Sequence, residues 1–173
     1  MIYWLLYLIA GVIALLVTIT IVGFLVGWAN VWHWTMGPAD LGPVKFEGLS
    51  KTRRPNQVLI CPKDLCNPKH VDAESPVYSV GSDQLRTALL DKILAKSHNQ
   101  RVDDDADPNQ LRFVTRSKWF SFPDTTRIQL IPLGENRSTL AIYGQSQVGR
   151  KDFDVNRLRV ERWLSFLKEF EEN

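Results

Sequence analysis

From Ile2 to Trp28 the chain reads IYWLLYLIAGVIALLVTITIVGFLVGW, with no charged side chain. A helix of about 26 residues rises roughly 39 Å, enough to cross a hydrocarbon layer of about 30 Å. Tyr3, Trp4 and Tyr7 mark one end of the run, and Trp28, Trp32 and Trp34 the other, as interfacial aromatics should. A cleaved signal peptide wants a basic start, a shorter apolar core and a small-residue cleavage site; the run has none of these. The pattern predicts a single transmembrane anchor over residues 1–28. Residues 29–57 carry Pro38, Gly42, Pro43, Gly48 and Pro55, punctuation that predicts a juxtamembrane tether. Residues 58–173 remain for a soluble domain.

Within that domain the apolar period changes twice. In SDQLRTALLDKILAK, Leu85, Leu89 and Ile93 stack on one face behind Ser82 as N-cap, which predicts a helix over 83–96. After the acidic turn VDDDADPNQ, the stretches LRFVTRS, TRIQLIPL and STLAIYGQS alternate with period two and predict strands. PLGENRS joins the last two as a hairpin. In the final segment Val160, Trp163, Leu164 and Leu167 follow the spacing of one buried helical stripe. The fold class expected is therefore α+β: a single transmembrane helix, then an antiparallel sheet of at least three strands covered by two amphipathic helices. Trp119, Phe120 and Phe122 are expected to help fill its core.

Charge narrows the function classes. All 21 basic residues and every one of the 19 acidic residues except Asp40 lie at or beyond Lys45. This is an ordinary mixed surface without the dense basic patch that nucleic acid requires, so no nucleic-acid partner is expected. Cys61 and Cys66, in ICPKDLC, are the only cysteines. With His70 and neighbouring carboxylates they fall short of a four-ligand zinc site, and C-x4-C is not the C-x-x-C of thiol exchange. A structural disulfide, worth about 2 kcal/mol for so short a loop, is favoured over two buried thiols. No metal and no cofactor are expected.

ICPKDLC, DAESPVY, RSKWFSFPD and QSQVGRKDFDVNRLRVERWL, taken in order, resemble an uncharacterised family, domain of unknown function 1499, over about residues 59–168. The resemblance implies a small bacterial envelope domain, soluble or tethered to a membrane, and supplies no reaction. The chain departs from the family pattern at Gly144-Gln145-Ser146 and at Asp154. By position the pattern singles out Arg116, Asp124, Asp152, Asn156 and Arg159, polar residues at element ends. They are either ties and caps or a pocket for a polar or anionic ligand. No nucleophile with an orienting base stands out, so no catalytic residue is assigned and the question of an enzyme stays open. In the anchor, Gly23 and Gly27, with Ala10, Ala14 and Thr18, place small residues at four-residue spacing, a pattern that lets helices pack closely in lipid. The leading expectation is an accessory subunit of a membrane complex, packed through this face against other transmembrane helices or a second copy. A lipid-binding or small-ligand-binding domain is the alternative. The disulfide argues for a periplasmic domain on a bacterial inner membrane, while Lys51, Arg53 and Arg54 pull weakly toward the cytoplasm.

Overall fold

The computed structural model describes residues 2–151 and 153–172. Helix α1, Ile2–Val26, is apolar on every side, and Gly23 is its only buried residue. By length and composition it suits a membrane span or a signal sequence. Gly27 ends it with φ +88°, a conformation that costs other residues Cβ strain. The chain then resumes as α2, Trp28–Met36, helix where the proline- and glycine-based reading expected irregular tether. The turn folds Trp28 back over α1. A Cβ at position 23 would lie 2.4 Å from the Trp28 ring, so only glycine leaves room for the indole. Gly23 and Gly27, read from the sequence as a contact for another helix, both serve this fold-back within the chain.

The domain is built on one seven-stranded sheet. Its strands are β1 (Gln57–Cys61), β2 (Ala73–Glu74), β3 (Val77–Tyr78), β4 (Asn99–Arg101), β5 (Gln110–Arg116), β6 (Pro123–Gly134) and β7 (Arg137–Ser146). The order is β2-β1-β7-β6-β5-β4, with β3 also paired to β7. Only β1–β2 is parallel. The expected hairpin is β6–β7, paired from Asp124–Ser146 to Gly134–Arg137. Helices α3 (Ser82–Leu94) and α4 (Val155–Ser165) cover one face. They bring Leu85, Leu89, Ile93, Val160 and Trp163 onto Leu111, Phe113, Ile128, Leu140 and Ile142. Gly81, not Ser82, stands at the N-cap of α3.

Strand alternation turns Leu59, Cys61, Ala141 and Tyr143 to the opposite face, where they form a second core around Phe46. Residues 38–50 supply its cover. Leu41 N–H donates to Thr125 Oγ1 at 3.2 Å, the Thr125 hydroxyl donates to Ala39 O at 3.0 Å, and Arg127 Nε donates to Gly42 O at 2.8 Å. Asp40 pairs with Arg112 at 2.9 Å. Burial lowers the pKa of Arg127, whose guanidinium also faces the Tyr143 ring. Part of the stretch expected to be tether is thus a strap bonded across the sheet. Cys61 and Cys66 are joined by a disulfide, Cα atoms 6.2 Å apart. The loop it closes is held to the strap by Gly48 N–H to Leu65 O and Asn67 N–H to Leu49 O, at 2.8 and 3.1 Å.

Trp119, Phe120 and Phe122 do not fill the core. They sit in the loop between β5 and β6, 66, 39 and 37 % exposed, and face the other way. Phe120 packs on Phe24 and Trp28, with ring centroids 6.2 and 5.3 Å apart, and Phe122 on Trp32 at 4.9 Å. Trp32 Nε1 donates to Phe120 O at 2.6 Å. The physical reason is that Phe120 and Phe122 already have apolar partners, at the exit of α1, outside the domain, while Trp119 lies against the Lys118 ammonium.

A candidate anion-binding cleft

Where β5 ends, Arg116 N–H donates to His98 O, and the loop beyond it is closed by Ser117. The Ser117 amide donates to Phe122 O at 3.1 Å, and the Ser117 hydroxyl accepts from Phe122 N–H at 2.9 Å. Across from this loop lie the C-terminal turn of α3 and the inner face of α4. Between them opens a cleft of about 740 Å³, within the usual range of small-ligand sites. Lys92, Lys96, Arg116, Lys118, Arg159 and Arg162 line it, and no acidic side chain does. Arg159 is paired with Asp124, and the other five are in no ion pair among the described residues. Arg116 Nη1 is buried with no hydrogen-bond partner there. The floor is apolar, with Trp163 and Phe166, and Val155 and Leu158 stand along α4.

Three of the five residues singled out from the sequence meet at the edge of this cleft, which Arg159 itself lines. Arg159 donates to Asp124 through Nη2, and to Asn156 Oδ1 through Nη1 at 2.6 Å. Asn156 Nδ2 donates to Ser146 Oγ at 2.8 Å, and Asn56 Nδ2 donates to Gly149 O at 2.9 Å. Asp124, Ser146, Asn56 and Asn156 are all buried. This network ties β6 and β7 to α4, and it consumes the charge of Arg159. Arg116 stands apart, in the cleft. Asp152 lies outside the described residues. Asp154 occupies the N-cap of α4, in the left-handed conformation and without a side-chain cap bond.

A smaller cleft of about 320 Å³ holds Lys51, Arg53, Arg54 and Arg157 together with Asp72 and Asp154. Lys51 already pairs with Asp72 at 2.6 Å, and Arg157 lies near Asp72 and Asp154, so part of this cleft's charge is balanced internally. In the larger cleft only Arg159 has such a counterion, Asp124, and the other five cations have none among the described residues.

Residues 50–167 match the family described as protein of unknown function (DUF1499). The chain belongs to that family. The matched stretch contains all the residues that line the larger cleft, and it excludes α1, α2 and most of the strap. None of the curated proteins matches the chain. Gln145, where the sequence reading expected a departure from the resembled pattern, lies on the strap side of the sheet, and its Oε1 accepts from Arg127 at 3.2 Å. It therefore leaves the cleft untouched. Gly144, on the other face, leaves Asn156 its place: a Cβ there would come within 3.2 Å of Asn156 Oδ1.

Sequence reasoning found Arg116 but missed Lys92, Lys96, Lys118 and Arg162. One local signal existed. Lys92 and Lys96 are four apart within the helix expected from the sequence, a like-charge spacing that slightly disfavours an isolated helix, and Lys96 falls just beyond the observed end of α3.

Proposed function

We propose that this DUF1499 protein is a membrane-anchored, extracytoplasmic domain that binds a small anionic ligand, phosphate or carboxylate, in the cleft between α3, α4 and the β5–β6 loop. The observation that carries this reading is the set of five cations without counterions among the described residues, one of which, Arg116, has a buried and unpartnered guanidinium nitrogen. Uncompensated like charges gathered around one cleft repel one another. A cleft lined by one sign of charge also concentrates oppositely charged ligands. An anion would relieve both the repulsion and the orphaned donor. The disulfide supports the extracytoplasmic side, and the uniformly apolar α1 supports an anchor.

Titration of the full-length protein in neutral detergent with inorganic phosphate, followed by calorimetry, tests the reading. Binding is expected, weakening as salt rises. Arg116→Gln is expected to weaken it about tenfold, the loss of one charge-assisted bond. Equal phosphate affinity in wild type and Arg116→Gln would overturn the reading.

An accessory subunit of a membrane complex is the second reading, favoured by Ala10, Ala14 and Thr18, which stay exposed along α1. A native mass in mild detergent equal to one chain would remove it.

A further inference from the structure

We propose that the anion received by the cleft is the phosphate of an anionic phospholipid, presented by the same leaflet into which the C-terminal end of α1 emerges. This rests on the anion-binding reading above and adds the source of the ligand. Three observations point to the bilayer.

The first is placement. Lys118 and Ser121 line the cleft, and they share their six-residue loop with Phe120 and Phe122. Phe120 touches Phe24, a residue of α1 itself, and Trp28 just beyond its end. Trp32 fixes the same loop by its hydrogen bond to Phe120 O. A helix of 25 residues rises about 37 Å, and the headgroup layer begins where about 30 Å of hydrocarbon ends. The loop that carries one wall of the cleft is therefore held where phospholipid phosphates lie.

The second is the apolar border. Val155 and Leu158 line the cleft, yet they are 47 and 61 % exposed. Trp119, 66 % exposed, lies beneath the Lys118 ammonium, which is 5.2 Å from its ring centroid. A free inorganic anion gains nothing from these surfaces. The glycerol and upper acyl region of a lipid does, because each apolar group so covered leaves water.

The third is the pairing of the two features in one site. Lys and Arg reach a headgroup while their stems lie along apolar surface, and Lys96, Arg116 and Arg162 surround an apolar floor of Trp163 and Phe166. The cleft matches an amphiphile whose charged end enters and whose chains remain at the rim.

The full-length protein in neutral maltoside detergent is titrated with short-chain phosphatidylglycerol, short-chain phosphatidylcholine and glycerol 3-phosphate. Phosphatidylglycerol is expected to bind about tenfold tighter than either. Arg116→Gln should weaken phosphatidylglycerol and glycerol 3-phosphate alike. Leu158→Ser, an exposed position, should weaken phosphatidylglycerol about tenfold and leave glycerol 3-phosphate unchanged. Unchanged melting curves for both variants establish that they fold. If glycerol 3-phosphate binds as tightly as phosphatidylglycerol, the ligand is a free anion, and the lipid inference fails while the anion reading stands. If phosphatidylcholine matches phosphatidylglycerol, headgroup charge is not read and the inference fails. If wild type binds neither phosphatidylglycerol, glycerol 3-phosphate nor inorganic phosphate, the anion reading itself fails.

Discussion

Replacing Trp163 by alanine is expected to remove about 3 to 5 kcal/mol of stability. The side chain is 3 % exposed and meets the Phe113 ring edge-on, with centroids 5.4 Å apart and planes at 74°. It is the largest group that α4 drives into the sheet, and it packs in one cluster with Val160 and Leu167. Truncation removes the transfer free energy of the indole. It also leaves a void that the strands beneath, locked by hydrogen bonds, close only in part. Against a typical total of 5 to 15 kcal/mol this is a large share, and a denaturant melt reads it directly. Trp119→Ala is the control. That residue is 66 % exposed, and its loss should stay within about 0.5 kcal/mol. A loss below about 1 kcal/mol at Trp163 would contradict the packing of α4 described above. A large loss at Trp119 would return the aromatic loop to the core.

The contrast between those two tryptophans shows what the sequence made legible. A helix with one buried stripe and a strand with one buried face leave a period in the sequence. So α3, α4, β5 and the β6–β7 hairpin were all expected, and at nearly the right residues. Strand β1 escaped because both of its faces are covered. Val58 and Ile60 point to the helices, and Leu59 and Cys61 to the strap, so VLIC has no alternation to read. Strands β2 and β3 are two residues each, and β4 is the polar edge stretch Asn99–Arg101. Phe46 is fully buried, but it sits alone between glycines and prolines, where the local pattern says loop. Phe120 and Phe122 read as core because hydrophobicity reports that a partner exists and not which one. The partner is an aromatic cluster at the end of α1.

The cleft shows the same limit at longer range. Its five unpaired cations come from α3, the turn after it, β5, the following loop and α4. They are spread over the chain from Lys92 to Arg162, and only the sheet order brings them together. Asp124, Asn156 and Arg159 were legible as residues at element ends. Their role was open until the geometry showed their polar atoms turned toward one another.

Asp124→Leu is expected to cost about 3 to 5 kcal/mol, and adding Arg159→Met should restore most of that loss. The two side chains are 11 and 12 % exposed, and the carboxylate is the only acidic group paired with Arg159 among the described residues. Its removal leaves a largely desolvated cation whose remaining acceptor among the described residues is Asn156 Oδ1. The cost is therefore mainly that of an uncompensated charge and not the net worth of the pair. With both charges gone, leucine and methionine fill similar space and leave no charge to solvate. The double-mutant cycle should then show a coupling at the upper end of the usual range, about 3 kcal/mol. The single variant also tests the neighbouring cleft. Arg159 freed from Asp124 adds a sixth unpaired cation beside five others, so phosphate should raise the melting temperature of Asp124→Leu more than that of wild type, by the usual linkage of binding to stability. If Asp124→Leu melts like the double variant, the pair does not hold α4 to the sheet. The cleft would then owe its shape to Trp163 and the apolar stripe alone.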